Sequence, residues 1–313
     1  MPILISGTIA YDHIMDFPDS FRNHILPDQI HILNVCFIVD KVERSLGGTA
    51  GNIAYTMKLL GARPLPVSAV GKDGSDYLRY FEKEGIETKY IVADTKMLTC
   101  GAYITTDVDD NQITAFYNGP SVRAREVHVR DITEPITLAL ISPIHKEVMI
   151  HRAKECVEAG IPVVFDPGQQ ITAFSPAELQ LLVRQSKYLI CNDYEMKLLQ
   201  DKTGYNMAGL LEFVPVVITT LGSKGSVITT KDEMIEVNPC PPQSVDDPTG
   251  AGDAYRAGFF VGVELGYSLK TCGQMGSVAA SYAIEAYGTQ THRFTKEEFG
   301  ERYKHTYGED IKL

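Results

Sequence analysis

The sequence is short of positive charge. Twenty-nine Lys and Arg stand against 40 Asp and Glu, a formal net charge of −11 and a pI of about 5.2. Affinity for a phosphate backbone comes from cations that displace counterions, so no nucleic-acid partner is expected. The chain also lacks any uncharged apolar run near the ~20 residues that span a bilayer. Its start carries no basic segment, and Asp12 interrupts the apolar opening. A cytoplasmic protein without a membrane partner is expected. The cysteines Cys36, Cys100, Cys156, Cys191, Cys240 and Cys272 include no C-x-x-C pair. That argues against a structural zinc or thioredoxin-like site and for buried, reduced thiols. Internal repeats, low-complexity tracts and linkers are missing too.

What is present has globular proportions: 44% hydrophobic and 22% charged over 313 residues. That length makes one large domain or two. Leu138–Ile141, Val163–Phe165, Tyr188–Ile190 and Val216–Ile218 are short apolar runs about 25 residues apart, separated by amphipathic stretches. Continuous apolar runs suit parallel strands covered on both faces, which reads as successive βαβ units. Ser175, Pro176 and Glu178 mark a helix start with a capping box. Ile3–Ile5 predicts a first strand, and Ala50–Leu60 a helix ended by Gly61. Residues 13–45 alternate around Ile30, Ile32, Val35, Phe37 and Val39, as antiparallel strands with one wet face would. A second such stretch runs from Thr99 to Tyr117 through the turn at 109–111. Both excursions predict a small β-layer attached to a doubly wound core.

Four motifs carry chemistry. In Asp247-Pro248-Thr249-Gly250-Ala251-Gly252-Asp253, small residues open a segment of helical spacing. Backbone N–H groups at such a helix start point at whatever approaches, and the dipole there favours negative charge. Asp253 reads either as a functional carboxylate or as a helix cap. Gly250-x-Gly252 has Tyr255 where a dinucleotide fingerprint needs its third Gly, and no G-x-x-x-x-G-K-[ST] occurs. The second motif is Gly47-Gly48-Thr49-Ala50-Gly51-Asn52, at another helix start. The third is Asn192-Asp193-Tyr194-Glu195, which reads either as a carboxylate at the end of a parallel strand serving a metal or, equally well, as a solvated helix start. The fourth is the glycine loop Thr219–Gly225.

In order and spacing these motifs resemble the PfkB, or ribokinase-like, family of carbohydrate and nucleoside kinases, from Gly7 to about Arg293. The resemblance implies an α/β fold: a doubly wound, mostly parallel sheet with helices on both faces and a small β-sheet lid. Residues 1–12, 46–96 and 121–313 would form the core, and 13–45 with 97–120 the lid. It implies that Asp253 is the catalytic base and that Gly250, Ala251 and Gly252 hold the transferring phosphoryl group. Asn192 and Glu195 would hold Mg²⁺ through water, and Thr220, Gly222 and Gly225 the nucleotide ATP. Asp12, Gly48 and Asn52 would grip ribose. Many relatives bind a monovalent cation beside the stretch matching Asp247 and residues 283–292. His292 stands where ribokinases tend to have a small residue, which leaves K⁺ open.

Residues 39–44, 51–55 and 115–117 lean towards the adenosine-kinase-like bacterial branch. Phe37, Phe116 and Tyr117 could close over a purine or merely anchor lid strands. Asn118-Gly119-Pro120-Ser121 departs from the P-G-A of related kinases. The resulting expectation is a kinase that phosphorylates the 5′-hydroxyl of adenosine. Another nucleoside, or a sugar, is the alternative small-molecule substrate. A nucleoside-binding protein without catalysis and a nicotinamide dehydrogenase are disfavoured. Exposed lid edges invite pairing, and a homodimer is expected there if one forms.

Overall fold

The structure is a computed structural model and describes residues 2–26, 32, 34–109 and 111–313. The main sheet contains β1 (Pro2–Ser6), β4 (Arg63–Val70), β5 (Ile91–Ala93), β8 (Leu138–Ile141) and β9 (Val163–Phe165). It continues with β10 (Tyr188–Asn192), β11 (Val216–Thr220), β12 (Ser226–Thr229) and β13 (Met234–Val237). The order is β5-β4-β1-β8-β9-β10-β11-β12-β13, parallel from β5 to β11 and antiparallel over the last two pairings.

The four apolar runs are β8 to β11, and alternate side chains enter opposite cores. Leu138, Leu140, Tyr188 and Ile190 pack into one, and Ala139, Ile141, Leu189 and Cys191 into the other. One face is covered by α1 (Thr49–Leu59), α2 (Ser75–Lys83), α7 (Ala251–Glu264), α8 (Leu269–Ile284) and α9 (Lys296–Tyr307). The other is covered by α3 (Lys146–Glu158), α4 (Pro176–Arg184), α5 (Asp193–Thr203) and α6 (Met207–Leu211). The capping box of α4 is present, with Ser175 and Glu178 each accepting the other's backbone N–H. No helix among the described residues is long and apolar enough to cross a membrane. Five of the six cysteines are buried, Cys36 is exposed, and all are free.

Chain order reverses at β1: β4 lies on one side and β8 on the other. In such sheets the crevice at the carboxyl ends of the strands on either side of the reversal is the natural ligand site.

A separate four-stranded sheet, the lid, has the order β3-β2-β6-β7, with β2 (Ala10–Asp16), β3 (Lys41–Gly47), β6 (Cys100–Thr106) and β7 (Gln112–Tyr117). It differs from the expectation in two ways. It begins at Ala10 and takes in Leu46 and Gly47, which the sequence boundaries put in the core. The alternating stretch through Val35, Phe37 and Val39 is no strand: residues 34–39 carry no regular structure, and Ile30 lies outside the described residues. Val35, Phe37 and Val39 are half-buried while Asn34, Cys36 and Ile38 are exposed. The alternation therefore reports sidedness, and both edges of β2 are already paired, to β3 and β6. The 99–117 hairpin forms as expected. Asp107 stabilises its turn by accepting the backbone N–H groups of Asp109 and Asn111.

Candidate functional site

A cleft of about 400 Å³ lies at the carboxyl ends of the parallel strands. Asp166 follows β9, Asn192 ends β10, Thr220 ends β11, and the first turn of α7 forms the floor. All the residues singled out at 192–195, 220–225 and 250–253 for nucleotide and phosphoryl contacts line this one cavity. Asp12, Gly48, Asn52, Phe116 and Tyr117 do not line it: Asp12, Phe116 and Tyr117 lie in lid strands, Gly48 caps α1 and Asn52 lies within that helix.

Gly250 is the N-cap of α7, with φ +79°, and no side chain caps this helix. Asp253 is the third residue of the helix and makes no side-chain capping hydrogen bond. The first-turn N–H groups have no side-chain acceptor; that of Ala251 donates to the Pro248 carbonyl at 3.3 Å, and such helix-start N–H groups suit an anion. The Asp253 Oδ2 accepts a 2.8 Å hydrogen bond from Asn52 Nδ2. Burial pushes the Asp253 carboxyl up to about 6, against the opposing pull of Arg256 and Asn52 and with the help of Asp166 and Glu195.

Two residues that sequence reasoning missed sit beneath it. Arg256, one turn further along α7, grips Asp166 with two 2.6 Å hydrogen bonds and donates to the Gly252 carbonyl at 2.9 Å. Asp166 is 1% exposed, so this is a desolvated, bidentate pair that fixes the first turn of α7 at the floor of the cleft. The end-of-strand rule that pointed to Asn192 applies equally to Asp166, directly after Val163–Phe165. Arg256 carried no signal beyond its spacing of three from Asp253. Among the described residues, Arg256 is the one Lys or Arg lining the cleft.

Asn52 is aimed from behind. Gln290 Nε2 donates to Asn52 Oδ1 at 3.0 Å and also to the Tyr77 hydroxyl, which donates to the Gly47 carbonyl at 2.7 Å. Gln290 and Tyr77 were likewise missed, because they meet Asn52 only through the tertiary fold.

Gly48, the N-cap of α1, has φ +87°, a conformation that favours glycine. A Cβ on Gly47 would collide with the Asp12 carboxylate and one on Gly48 with the backbone of Thr8 and Ala10, so the first glycine makes room for that carboxylate and the second for the chain entering β2. Asp12 lies third in β2, and its carboxyl is raised to about 7, first by burial and then by the charges of Asp253 and Asp247. The register runs Ser45–Asp12–Ala102–Phe116 across the lid, so Phe116 shares the face of Asp12. Tyr117 pairs with Gly101, which in turn pairs with Tyr11, and so lies on the opposite face, contrary to its expected place beside Phe116. Phe37 packs against Phe17, Phe21 and His24, and Phe17 directly follows β2, so it is part of an aromatic cluster at the far end of the lid strand.

Asn192 and Glu195 form the capping box of α5: Asn192 Oδ1 accepts from Glu195 N at 2.7 Å, and Glu195 Oε2 from Asn192 N at 2.9 Å. Burial raises the Glu195 carboxyl, with Asp166 adding to it. A poorly solvated carboxylate beside an amide oxygen is a hard-oxygen donor set that fits Mg²⁺. Asp247 has both oxygens engaged, by Thr249 N at 2.9 Å and Gly288 N at 3.1 Å. His292 is buried, and its Nε2 lies 3.1 Å from the Thr56 hydroxyl. Its side chain thus faces α1.

Comparison with known proteins agrees with this architecture. The chain is 35% identical over 272 residues to the nucleoside kinase of Methanocaldococcus jannaschii, covering 86% of this chain and 89% of that one. It superposes on the nucleoside kinase of Burkholderia thailandensis in complex with inosine with a TM-score of 0.91, at 34% identity and full coverage of both chains. The same enzyme in complex with ADP-inosine gives 0.88 at 36% identity, covering 100% of this chain and 98% of that one. The pattern of the pfkB family carbohydrate kinases matches residues 22–296. The chain therefore belongs to the pfkB family of carbohydrate kinases, phosphotransferases whose acceptor is a hydroxyl group.

Proposed function

We propose that this chain transfers the γ-phosphoryl group of ATP to the 5′-hydroxyl of a purine nucleoside. The observation that carries the reading is the Asp253 carboxyl on the α7 first turn, raised by burial, lining the cleft and held by Asn52. The nucleoside oxygen attacks the γ-phosphorus in line, and Asp253 accepts its proton. The bond from phosphorus to the leaving β-phosphate oxygen breaks, yielding the 5′-monophosphate and ADP. A positioned base contributes roughly 10²–10⁴-fold, and the rest is positioning and charge stabilisation. The backbone of Gly250, Ala251 and Gly252 would receive the phosphoryl oxygens, with Arg256 holding the Gly252 carbonyl from below. Asp12, Gly48 and Asn52 would take the ribose hydroxyls. Thr220, Gly222 and Gly225 would line the nucleotide.

Among the described residues the cleft offers a triphosphate one Lys or Arg, already paired with Asp166. Asn192 and Glu195 would therefore hold Mg²⁺, which supplies charge neutralisation on the phosphates. A Glu195→Gln variant should need more Mg²⁺ for half-maximal rate; an unchanged requirement would leave the residue as a helix cap alone.

Support for a nucleoside over a free sugar comes from the relatives named as nucleoside kinases and from Phe116 on the Asp12 face, where a ring could stack on a base. Adenosine is the first candidate base, on the lid segments that resemble the adenosine-kinase-like branch. Inosine is the second, on the inosine complex of the Burkholderia enzyme. ADP release measured over adenosine, inosine, guanosine, cytidine, ribose and fructose decides between them. Turnover of ribose or fructose without any nucleoside would overturn the substrate class.

A further inference from the structure

A second polar cluster lies outside the cleft, where α3 meets the segment that follows the lid strand β7. His151 and Glu155 stand four apart on α3 and so share one face of it. His128 precedes the short turn Val129–Asp131 and brings its ring to the same point. Glu155 Oε1 lies 2.7 Å from His128 Nδ1 and 3.3 Å from His151 Nε2. One donor atom from each of the three residues falls within 4.8 Å of the others.

The two oxygens of Glu155 have different tasks. Oε2 accepts from Arg152 Nη1 at 3.0 Å and from the Val129 backbone N–H at 3.3 Å. The Arg152 side chain is fully buried, and its other amino group donates to the Ala124 carbonyl at 2.9 Å. Oε2 is thereby anchored, and Oε1 is turned to both imidazoles. An anchored carboxylate with one oxygen presented beside two histidine nitrogens has the outer-shell support typical of metal ligands.

We propose that His128, His151 and Glu155 bind a borderline divalent ion, Zn²⁺ by chemistry, with water in the fourth position. Two imidazole nitrogens and one carboxylate oxygen suit Zn²⁺, whereas Mg²⁺ prefers an all-oxygen shell. Tetrahedral bonds of about 2.05 Å place ligand atoms about 3.4 Å apart, within reach of this trio by side-chain rotation. The histidine side chains are 34% and 39% exposed and Glu155 16%, so an ion can enter and water can complete its shell. Such an ion would tie the segment after β7 to α3 and add stability.

The full chain, stripped with a chelator and dialysed, tests this by thermal unfolding and equilibrium dialysis. Zn²⁺ should bind at about one per chain and raise Tm by roughly 4 °C at a hundredfold excess over its Kd, while Mg²⁺ without nucleotide leaves Tm unchanged. His128→Ala and His151→Ala should each abolish the shift. His151→Gln, closer in size, repeats the test should the alanine variant fold poorly. Cys36→Ser, which removes the one exposed thiol, should retain the shift. Zinc binding that persists in the histidine variants, or vanishes with Cys36, or is absent from the wild type, overturns the site.

Discussion

Replacing Asp253 by Asn should make the protein nearly inactive and, at the same time, more stable. The carboxyl is raised from 3.8 to about 6, so ionising it in the folded chain costs up to about 3 kcal/mol relative to the unfolded chain. The sign follows from linkage: the folded state holds this proton more tightly, so the penalty appears as pH rises from about 4 through about 6 and is complete by pH 8. Asparagine is neutral, fills the same volume and can accept from Asn52 through its own carbonyl oxygen. The variant should therefore gain up to roughly 4–5 °C in Tm at pH 8, given the unfolding entropy of a chain this long. About half of the gain should remain at pH 5, because the wild-type carboxyl is then mostly protonated. Its kcat should fall by roughly 10²–10⁴ with the nucleoside Kd little changed. Paired thermal melts at pH 5 and pH 8, with single-turnover ADP release, give both readouts. A variant that keeps near wild-type kcat refutes the base. One that loses several degrees at pH 8 refutes the claim that the charge is held at a cost.

The wild-type kcat/KM should fall as pH drops through the window between about 6 and 7, where Asp253 and Asp12 gain protons. Asp12→Asn should make that acid limb shallower, and a limb of unchanged steepness would place Asp12 outside it. Arg256→Met leaves Asp166 buried and unpaired and should cost about 3–5 kcal/mol in denaturant unfolding; adding Asp166→Leu should recover much of this, and a double variant as unstable as the single would count against the pair. Gln290→Leu removes the donor to Asn52, so Asp253 loses some of its hydrogen-bond support. We expect kcat to drop roughly tenfold, as one such bond suggests, with the acid limb moved to higher pH. An unmoved limb would make Gln290 a packing residue.

Much of the core was legible in the sequence because its signals are local. Four apolar runs at regular spacing can only be strands covered on both faces, and β8 to β11 are those strands. Ser175 with Glu178 and Asn192 with Glu195 cap their own helices within four residues. The lid was legible in kind but not in extent. Alternation at 34–39 records which side chains turn inward, whereas strand pairing depends on a free neighbouring edge, and that is a property of the assembled sheet. Tyr117 was misjudged for a related reason: neighbouring residues in a strand point to opposite faces, and only the cross-strand register says which face carries Asp12.

The sequence by itself determined the layered α/β class, the glycine-opened helix start at 250–253 and the residue types that line the cleft. These follow from periodicity and from the small side chains that leave backbone N–H groups bare. The tertiary structure alone decided the electrostatics. It brought Asn52 to Asp253 across 201 residues and Gln290 to Asn52 across 238. It also buried Asp166 against Arg256, and it buried Asp12 near Asp253 and Asp247, which lifts the Asp12 carboxyl to about 7. A carboxylate's proton affinity depends on distances and on excluded water, and neither exists until the chain has folded.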